Sequence, residues 1–167
     1  RVLFRSGNGT FAISGDISLD RSQSISITGG VNGGSQSKIG HGGEGVRGDM
    51  SGGIRVVSDG AIALAGGTGD STHASIGHLG HDSGGSAAGD LVVIGNSLAL
   101  TAGTGNQTSA MIGHGGLVEN TTAPVPVTAM SGDIFINWDP NLNAAAGGGG
   151  AITLTAGSTD RAAQIGH

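Results

Sequence analysis

Residues 61–78 read AIALAGGTGDSTHASIGH, and this stretch recurs along the chain. It opens with an apolar alternation, passes through a glycine-rich segment, and ends on a second alternation that closes with Ile-Gly-His. Matching stretches occupy 24–41, 97–114 and 151–167. The tripeptide therefore ends at four histidines, the first three 37 and 36 residues apart and the last 53 further on: His41, His78, His114 and His167. Such recurrence is typical of repeat proteins whose units stack on one another.

Another alternation precedes each of these stretches. It reads Gly-Asp-Ile-Ser-Leu at 15–19 and returns at 52–56, 89–93 and 132–136. All of these segments alternate large aliphatic with small or polar residues, which is the period of a strand with one buried face. The 36 glycines among 167 residues would weaken any helix. Offsets between equivalent segments are nearly constant. They predict an all-β coil with three short strands per turn, in which equivalent strands of successive coils pair in parallel.

Equivalent aliphatic side chains should then form inward columns, with five aliphatic residues per coil. The five predicted columns are Ile17, Ile54, Leu91 and Ile134; Leu19, Val56, Val93 and Ile136; Ile25, Ile62, Leu98 and Ile152; Ile27, Leu64, Leu100 and Leu154; and Ile39, Ile76, Ile112 and Ile165. Aromatic residues are nearly absent, with three Phe, one Trp and no Tyr. This composition favours a narrow aliphatic interior over a broad globular core.

We expect one solenoid domain over residues 1–167, with about four coils of roughly 37 residues. The predicted repeats are 14–50, 51–88, 89–130 and 131–167, and 1–13 would be part of a preceding coil. Two length changes interrupt the regular spacing, and both are predicted to be loops that leave the coil: 117–130, with Pro124 and Pro126, and 138–150. Neither end reads as a polar cap. Two expectations therefore stay open: a piece of a longer repeat protein, or a protomer whose open ends add to neighbouring copies.

Composition excludes several functional classes. The net charge is −5 with a single lysine, Lys38, which leaves no basic surface for nucleic acid or an anionic membrane. Without cysteine the chain has neither disulfides nor thiolate metal sites. No apolar run reaches the 18 residues that membrane insertion needs. We expect no cofactor.

The four motif histidines are the first candidates for chemistry. Each follows the inward Ile by two positions, so the four should form a column with about 4.8 Å between neighbours. We favour a structural ladder of neutral imidazoles, bonded to each other or to carbonyls at the corners. A metal array is an alternative, since imidazole binds Zn, Cu or Ni, and its one local cluster is His73, His78 and His81. A pH-sensing column is another, because stacked imidazolium ions repel.

Aspartate recurs before the first strand of three repeats, at Asp16, Asp90 and Asp133, but Gly53 stands there in the second repeat. A catalytic or calcium-binding column would not tolerate this gap. The aspartates are better explained as acceptors of backbone N–H groups at a turn. Residues 66–70 approach the calcium-binding nonapeptide pattern, but they break its spacing and are not repeated.

Three patterns recur in the chain: Gly-Asp-Ile-x-Ile, Ile-x-Leu-Thr-Ala-Gly and Ala-x-Ile-Gly-His-Gly-Gly. Together they resemble the repeat region of large bacterial exoproteins of the filamentous haemagglutinin and autotransporter-adhesin type. The resemblance covers roughly residues 14–167, and Ile-Gly-His-Gly-Gly, at 39–43 and 112–116, is its more distinctive element. It implies secretion, a right-handed parallel β-helix and a role as stalk, adhesin or matrix component. No catalytic residues carry over, because the shared motif is structural.

We therefore expect a non-enzymatic structural or adhesive segment, extracellular or on the cell surface, which self-associates end to end or laterally into filaments. A surface glycan or matrix component is the other expected partner. The alternative is a carbohydrate-binding or polysaccharide-active β-helix, for which Trp138 and Asp139 on the second inserted loop are the contact candidates. Ice binding is disfavoured because the outward positions of the second strand are not regularly Thr.

Overall fold

The computed structural model describes residues 11–43, 45–80, 83–115, 127–141, 144–145 and 150–167. Within these ranges the chain forms strands and turns and no helix. The first two repeats contain β1 (Phe11–Ser14), β2 (Ile17–Ser22), β3 (Ile25–Thr28), β4 (Gln36–Ile39), β5 (Gly48–Ser51), β6 (Ile54–Ser58), β7 (Ala61–Ala65) and β8 (His73–Ile76). The next two contain β9 (Gly85–Ala88), β10 (Leu91–Ile94), β11 (Ser97–Thr101), β12 (Ser109–Ile112), β13 (Val127–Ser131), β14 (Ile134–Ile136), β15 (Trp138–Asp139), β16 (Ala144–Ala145), β17 (Ile152–Thr155) and β18 (Ala162–Ile165).

Sixteen of these strands form four sheets of four strands each. Sheet A contains β1, β5, β9 and β13; sheet B contains β2, β6, β10 and β14; sheet C contains β3, β7, β11 and β17; and sheet D contains β4, β8, β12 and β18. Every pairing inside them is parallel. The chain visits A, B, C and D in turn and then returns to A. The predicted all-β class with parallel pairing is confirmed, and the order is compatible with a parallel β-solenoid.

The prediction of three strands per coil is wrong, because each repeat has a fourth strand in sheet A. This strand was missed because its members are rich in Gly, Ala and Ser and carry no repeated pair of large aliphatics. One signal was available. Met-Ser ends the strand at 50–51 and again at 130–131, directly before the glycine that begins the next alternation.

The parallel register pairs the residues that were expected to share a column. Ile17, Ile54, Leu91 and Ile134 are direct partners across sheet B, and the columns of sheets C and D are in register as well. In the middle repeats these side chains are almost fully buried. On β17 they are not: Ile152 is 47 % exposed and Leu154 46 %. The core therefore runs along the stack and its outermost layer is open to solvent.

A second, smaller cluster lies under sheet A. It contains Met50, Leu79 and Ala87, packed against Ile13 and Val46. Leu79 is buried although its φ is +61°, a conformation that normally selects glycine. In sheet D, the side chains that alternate with the inward Ile column point to the outer face of the sheet. Two of them, Met111 and Gln164, line a cavity together with Met130 of sheet A. Sheet A therefore covers part of the outer face of sheet D.

The two predicted loops have different outcomes. Residues 127–130 belong to β13 of sheet A, so the expected loop 117–130 extends too far, and 117–126 lie outside the described residues. The strand was obscured because Ala129 and Met130 follow a proline-containing insertion. In the second insertion, β15 and β16 pair antiparallel with each other and outside the four parallel sheets.

Candidate functional site

The four motif histidines form one continuous stack of rings. His41 lies on His78, His78 on His114, and His114 on His167, with 4.9 Å between ring centroids in each pair. The planes of neighbouring rings differ by 4°, 2° and 5° respectively. The spacing equals that of hydrogen-bonded strands, because each ring follows one strand of sheet D. We call this column the histidine ladder.

Both ring nitrogens of the inner histidines are hydrogen-bonded to backbone. The N–H of His41 donates to Nδ1 of His78 at 3.1 Å, and the N–H of His78 donates to Nδ1 of His114 at 3.1 Å. The N–H of His114 continues the series to Nδ1 of His167 at 3.0 Å. On the other side of the rings, Nε2 lies 2.8–3.1 Å from a carbonyl oxygen, that of Gly15, Gly52, Gly89 or Gly132 for the four histidines in order.

These partners fix the protonation state of the inner rings. A backbone N–H can only donate, so Nδ1 must be an unprotonated acceptor; a carbonyl oxygen can only accept, so Nε2 must carry the proton. The inner imidazoles are therefore neutral Nε2–H tautomers. Each bridges the corner after sheet D to the corner between sheets A and B, and also ties its own repeat to the one before it.

The glycine of Ile-Gly-His is required by the same geometry. Gly77 has φ +147°, and a Cβ built there would overlap the carbonyl oxygen of Gly113 in the next repeat. The close backbone approach lets His78 turn back into the stack while sheet D keeps its register. The glycine between Ile and His in the tripeptide is thus explained by the close packing of backbone between neighbouring repeats.

Burial holds the inner histidines neutral. The pKa of His78 is lowered from 6.5 to about 4, chiefly because burial desolvates the charged ring; the hydrogen bond to the Gly52 carbonyl raises the pKa, and electrostatic repulsion from His114, His41 and Lys38 lowers it. The pKa of His114 is also lowered, first by desolvation and then by His167 and Lys38, against raising contributions from the Gly89 carbonyl and Asp90.

These shifts predict a loss of stability in mild acid. An unfolded histidine binds a proton near pH 6.5, whereas folded His78 resists protonation down to about pH 4. The stabilisation is therefore complete above pH 6.5 and is lost as the pH falls from 6.5 to 4. We expect about 2–3 kcal/mol from His78, and His114 acts in the same direction. Urea unfolding at a series of pH values measures this loss.

A matched control separates the ladder from the other histidines. Gln36 pairs with His73 in sheet D, so His73→Gln places there the residue that the first repeat already uses. The slope that this variant retains between pH 6.5 and 4 is the part that does not come from His73. A flat wild-type profile over that window would contradict the buried neutral ladder.

The metal alternative gains no support from the described residues. Among them, no three His, Asp or Glu side chains are grouped so as to hold a metal ion. Both ring nitrogens of His78 are occupied, and Nδ1 of His73 lies 2.9 Å from the Ser109 hydroxyl. His81 lies outside the described residues. Nor does the described part of the chain contain a helix long and apolar enough to cross a membrane.

The repeated aspartates bind backbone N–H groups of the following repeat. Oδ1 of Asp16 accepts from Gly53 at 2.8 Å, and Oδ1 of Asp90 accepts from Asp133 at 2.9 Å. Asp70 does the same with Asn106 at a different turn, at 2.9 Å. These are turn contacts of the kind that the spacing predicts.

Trp138 and Asp139 have different surroundings. Trp138 is 39 % exposed, whereas Asp139 is only 3 % exposed. Oδ2 of Asp139 pairs with Nη2 of Arg55 at 2.9 Å, and its Oδ1 accepts the N–H of Asn141 at 3.0 Å. Asp139 therefore attaches the inserted loop to sheet B, and of the two contact candidates only Trp138 presents a large surface to solvent.

Lys38 is a site that the sequence reasoning missed. Its Nζ is buried and has no hydrogen-bond partner among the residues that the structure describes, and burial lowers its pKa to about 8. It occupies the column of sheet D that continues through Ser75, Met111 and Gln164. The column could have been found from the repeat alignment, where Lys38 stands at a position that is neutral in the other three repeats.

Replacing Lys38 with methionine should therefore stabilise the protein. The substitution removes a buried ammonium and introduces the residue that the third repeat has at the same position, Met111. The depressed pKa means that the penalty is complete below pH 8 and disappears as the pH rises from 8 to 10.5. We expect a gain of about 2–3 kcal/mol at pH 7 by urea unfolding. Lys38→Gln, which copies Gln164 of the last repeat, serves as the polar control, and equal stability of Lys38→Met and wild type would contradict this account.

Comparisons with known proteins give no match: no family model fits the sequence, and searches of the curated proteins and of the solved structures find nothing similar.

Proposed function

We propose that this chain is a right-handed parallel β-helix segment of a secreted or cell-surface protein, similar to the repeat regions of filamentous haemagglutinin-like and autotransporter-adhesin-like exoproteins. Its role is structural and adhesive, without catalysis of its own. The histidine ladder carries the proposal. The most chemically versatile side chains of the repeat have both ring nitrogens engaged by backbone groups, so they serve cohesion between repeats. The right hand is also the strong preference of crossovers between parallel strands.

We further propose that the segment associates with copies of itself, and that surface glycans or matrix components are the targets of its adhesive role. Two surfaces support self-association. One is the layer of β17, where Ile152 and Leu154 are nearly half exposed and where, among the described residues, the strand pairs on one side with β11. The other is the outward face of sheet C, which is uncharged and consists of Ser26, Thr28, Ala63, Ala65, Ala99, Thr101, Thr153 and Thr155.

Sedimentation velocity over a wide concentration range, combined with electron microscopy, tests self-association and separates the two modes. Leu154→Lys places a charge on the open layer and should suppress end-to-end fibres. Ala99→Lys places a charge in the middle of the sheet C face and should suppress lateral association only. Monodisperse wild-type monomers at high concentration would contradict self-association, and fibres that survive both substitutions would contradict both surfaces.

A further inference from the structure

The outward face of sheet B carries an open groove of about 330 Å³. Its lining includes Asp16, Gly53, Arg55 and Asp90 from sheet B and the turns before it, and Pro140 and Asn141 from the inserted loop. The volume is at the lower end of the range of roughly 300–1,000 Å³ that is common for sites of small ligands.

Two departures from the regular repeat meet at this groove. The first is Gly53, which stands where the other repeats have aspartate, so that the middle of the column has no side chain. The second is the insertion between β14 and β17, whose residues Pro140 and Asn141 form one wall. The ion pair between Arg55 and Asp139 holds this wall against the sheet. The missing side chain provides the space, and the inserted loop encloses it.

The two carboxylates that line the groove are held in fixed positions. Oδ1 of Asp16 and Oδ1 of Asp90 each accept a backbone N–H, as described above, which leaves the second oxygen of each carboxylate available to a ligand. They belong to the first and third repeats, so two strand spacings, about 10 Å in all, separate them. Both residues are exposed to solvent.

The arginine in the groove leaves these two charges uncompensated. Nε of Arg55 lies 3.4 Å from Asp20, and its Nη2 lies 2.9 Å from Asp139, so two other carboxylates already balance the guanidinium. Among the residues that the structure describes, neither Asp16 nor Asp90 has a cationic partner, so the groove presents two negative charges.

We infer that this groove binds an amino sugar, such as a glucosamine residue of a de-N-acetylated polysaccharide. An ammonium group pairs with a carboxylate, and the neighbouring hydroxyls can donate to the second carboxylate and accept from the side-chain amide of Asn141, which also lines the groove. An anionic uronic acid would be repelled by Asp16 and Asp90. This inference rests on the proposed adhesion to surface glycans and not on self-association, which uses the end layer and sheet C, so failure of the sugar titration would leave self-association untouched.

Titration of the 167-residue chain with a glucosamine trimer, followed by ¹H–¹⁵N NMR, tests the site. The shifts should be centred on Gly53 and Asn141. Gly53→Asn fills the groove without adding charge, and the nearest atoms to a Cβ at this position are 3.6 and 3.9 Å away, so it should fold normally. Asp16→Asn with Asp90→Asn removes the charges and keeps the acceptor oxygens. We expect each variant to weaken binding at least about tenfold. Asp133→Asn, in the same column but outside the groove lining, should bind like wild type.

Parallel titrations with N-acetylglucosamine trimer, trigalacturonate and spermidine decide the chemistry. Weak or absent binding of all three supports an amino sugar. Equal binding of the N-acetylated trimer would remove the need for a positive charge, equal binding of spermidine would reduce the site to general charge attraction, and preference for trigalacturonate would reverse the assigned charge. Each of these results overturns the inference, as does wild-type affinity in Gly53→Asn.

Discussion

Substitution of Gly77 by alanine is expected to lower the free energy of unfolding by about 2–6 kcal/mol. The φ of +147° strains any residue with a Cβ, at a cost of about 1–3 kcal/mol. The new methyl group would also overlap the carbonyl oxygen of Gly113, and the parallel bonds around it fix that approach: the N–H of Gly77 donates to Ile39 and that of Gly113 to Ile76, both at 2.9 Å. Relief needs a backbone shift in a tightly packed repeat, which typically costs another 1–3 kcal/mol or somewhat more. Chemical denaturation monitored by circular dichroism measures the effect.

The chain offers two controls for this variant. Gly166 is the same motif residue in the last repeat, with φ +144°, but a Cβ there would meet only Nε2 of Gln164 at 3.9 Å. Gly166→Ala should therefore show the conformational strain alone, about 1–3 kcal/mol. Gly43 has no atom within 4 Å of an added Cβ and no left-handed φ, so Gly43→Ala should change stability by less than about 0.5 kcal/mol. Similar losses in all three would show that packing between repeats is not the cause.

Removal of the His78 side chain is expected to cost about 3–5 kcal/mol. His78→Ala leaves a cavity in a fully buried site between two stacked rings. It also removes the acceptor for the N–H of His41 and the donor to the carbonyl of Gly52. Each buried backbone group left without a partner costs about 1–3 kcal/mol. Thermal and urea unfolding should both show the loss, with reduced protection from hydrogen exchange at the amide of residue 41.

His78→Phe separates hydrogen bonding from ring packing. Phenylalanine fills the space and stacks, but it leaves the same two backbone groups unpaired, so we expect a loss of about 2–4 kcal/mol. His41→Ala is the matched control at the edge of the ladder, where the ring is only partly buried, and its cost should be about 1–2 kcal/mol. A phenylalanine variant as stable as wild type would mean that the imidazole nitrogens do not hold the repeats together.

Much of this fold can be derived from the spacing of aliphatic residues. The alternations that begin at Ile17 and Ile25, and the one that ends at Ile39, recur at nearly fixed offsets. Parallel pairing then leaves one register in which the aliphatic columns face the interior. Sheet A follows no such rule, because its inward positions range from Ile13 to Ala87. Its strands are stabilised by their neighbours more than by their own composition.

The candidate site could likewise be predicted only in part. Ile-Gly-His places one imidazole at the same corner of every repeat, so the histidine column can be predicted from the repeat alone. The tautomer of each imidazole depends on the backbone groups that face it and could not be predicted. The environment of Arg55 could not be predicted, since Asp139 reaches it from an insertion that occurs once and has no period. The buried amine of Lys38 was not predicted, because the prediction was based on residues that recur and lysine stands at this position in one repeat only.

The central claim is that Ile-Gly-His builds a ladder of neutral imidazoles that joins each repeat to the next. Two-dimensional ¹H–¹⁵N NMR of the histidine side chains at pH 7 tests it most directly. The account predicts that His78 and His114 are Nε2–H tautomers whose Nδ1 has the shift of a hydrogen-bonded acceptor, unchanged when zinc is added. Protonated rings, rapidly exchanging tautomers or a zinc-dependent shift at Nδ1 or Nε2 would contradict it.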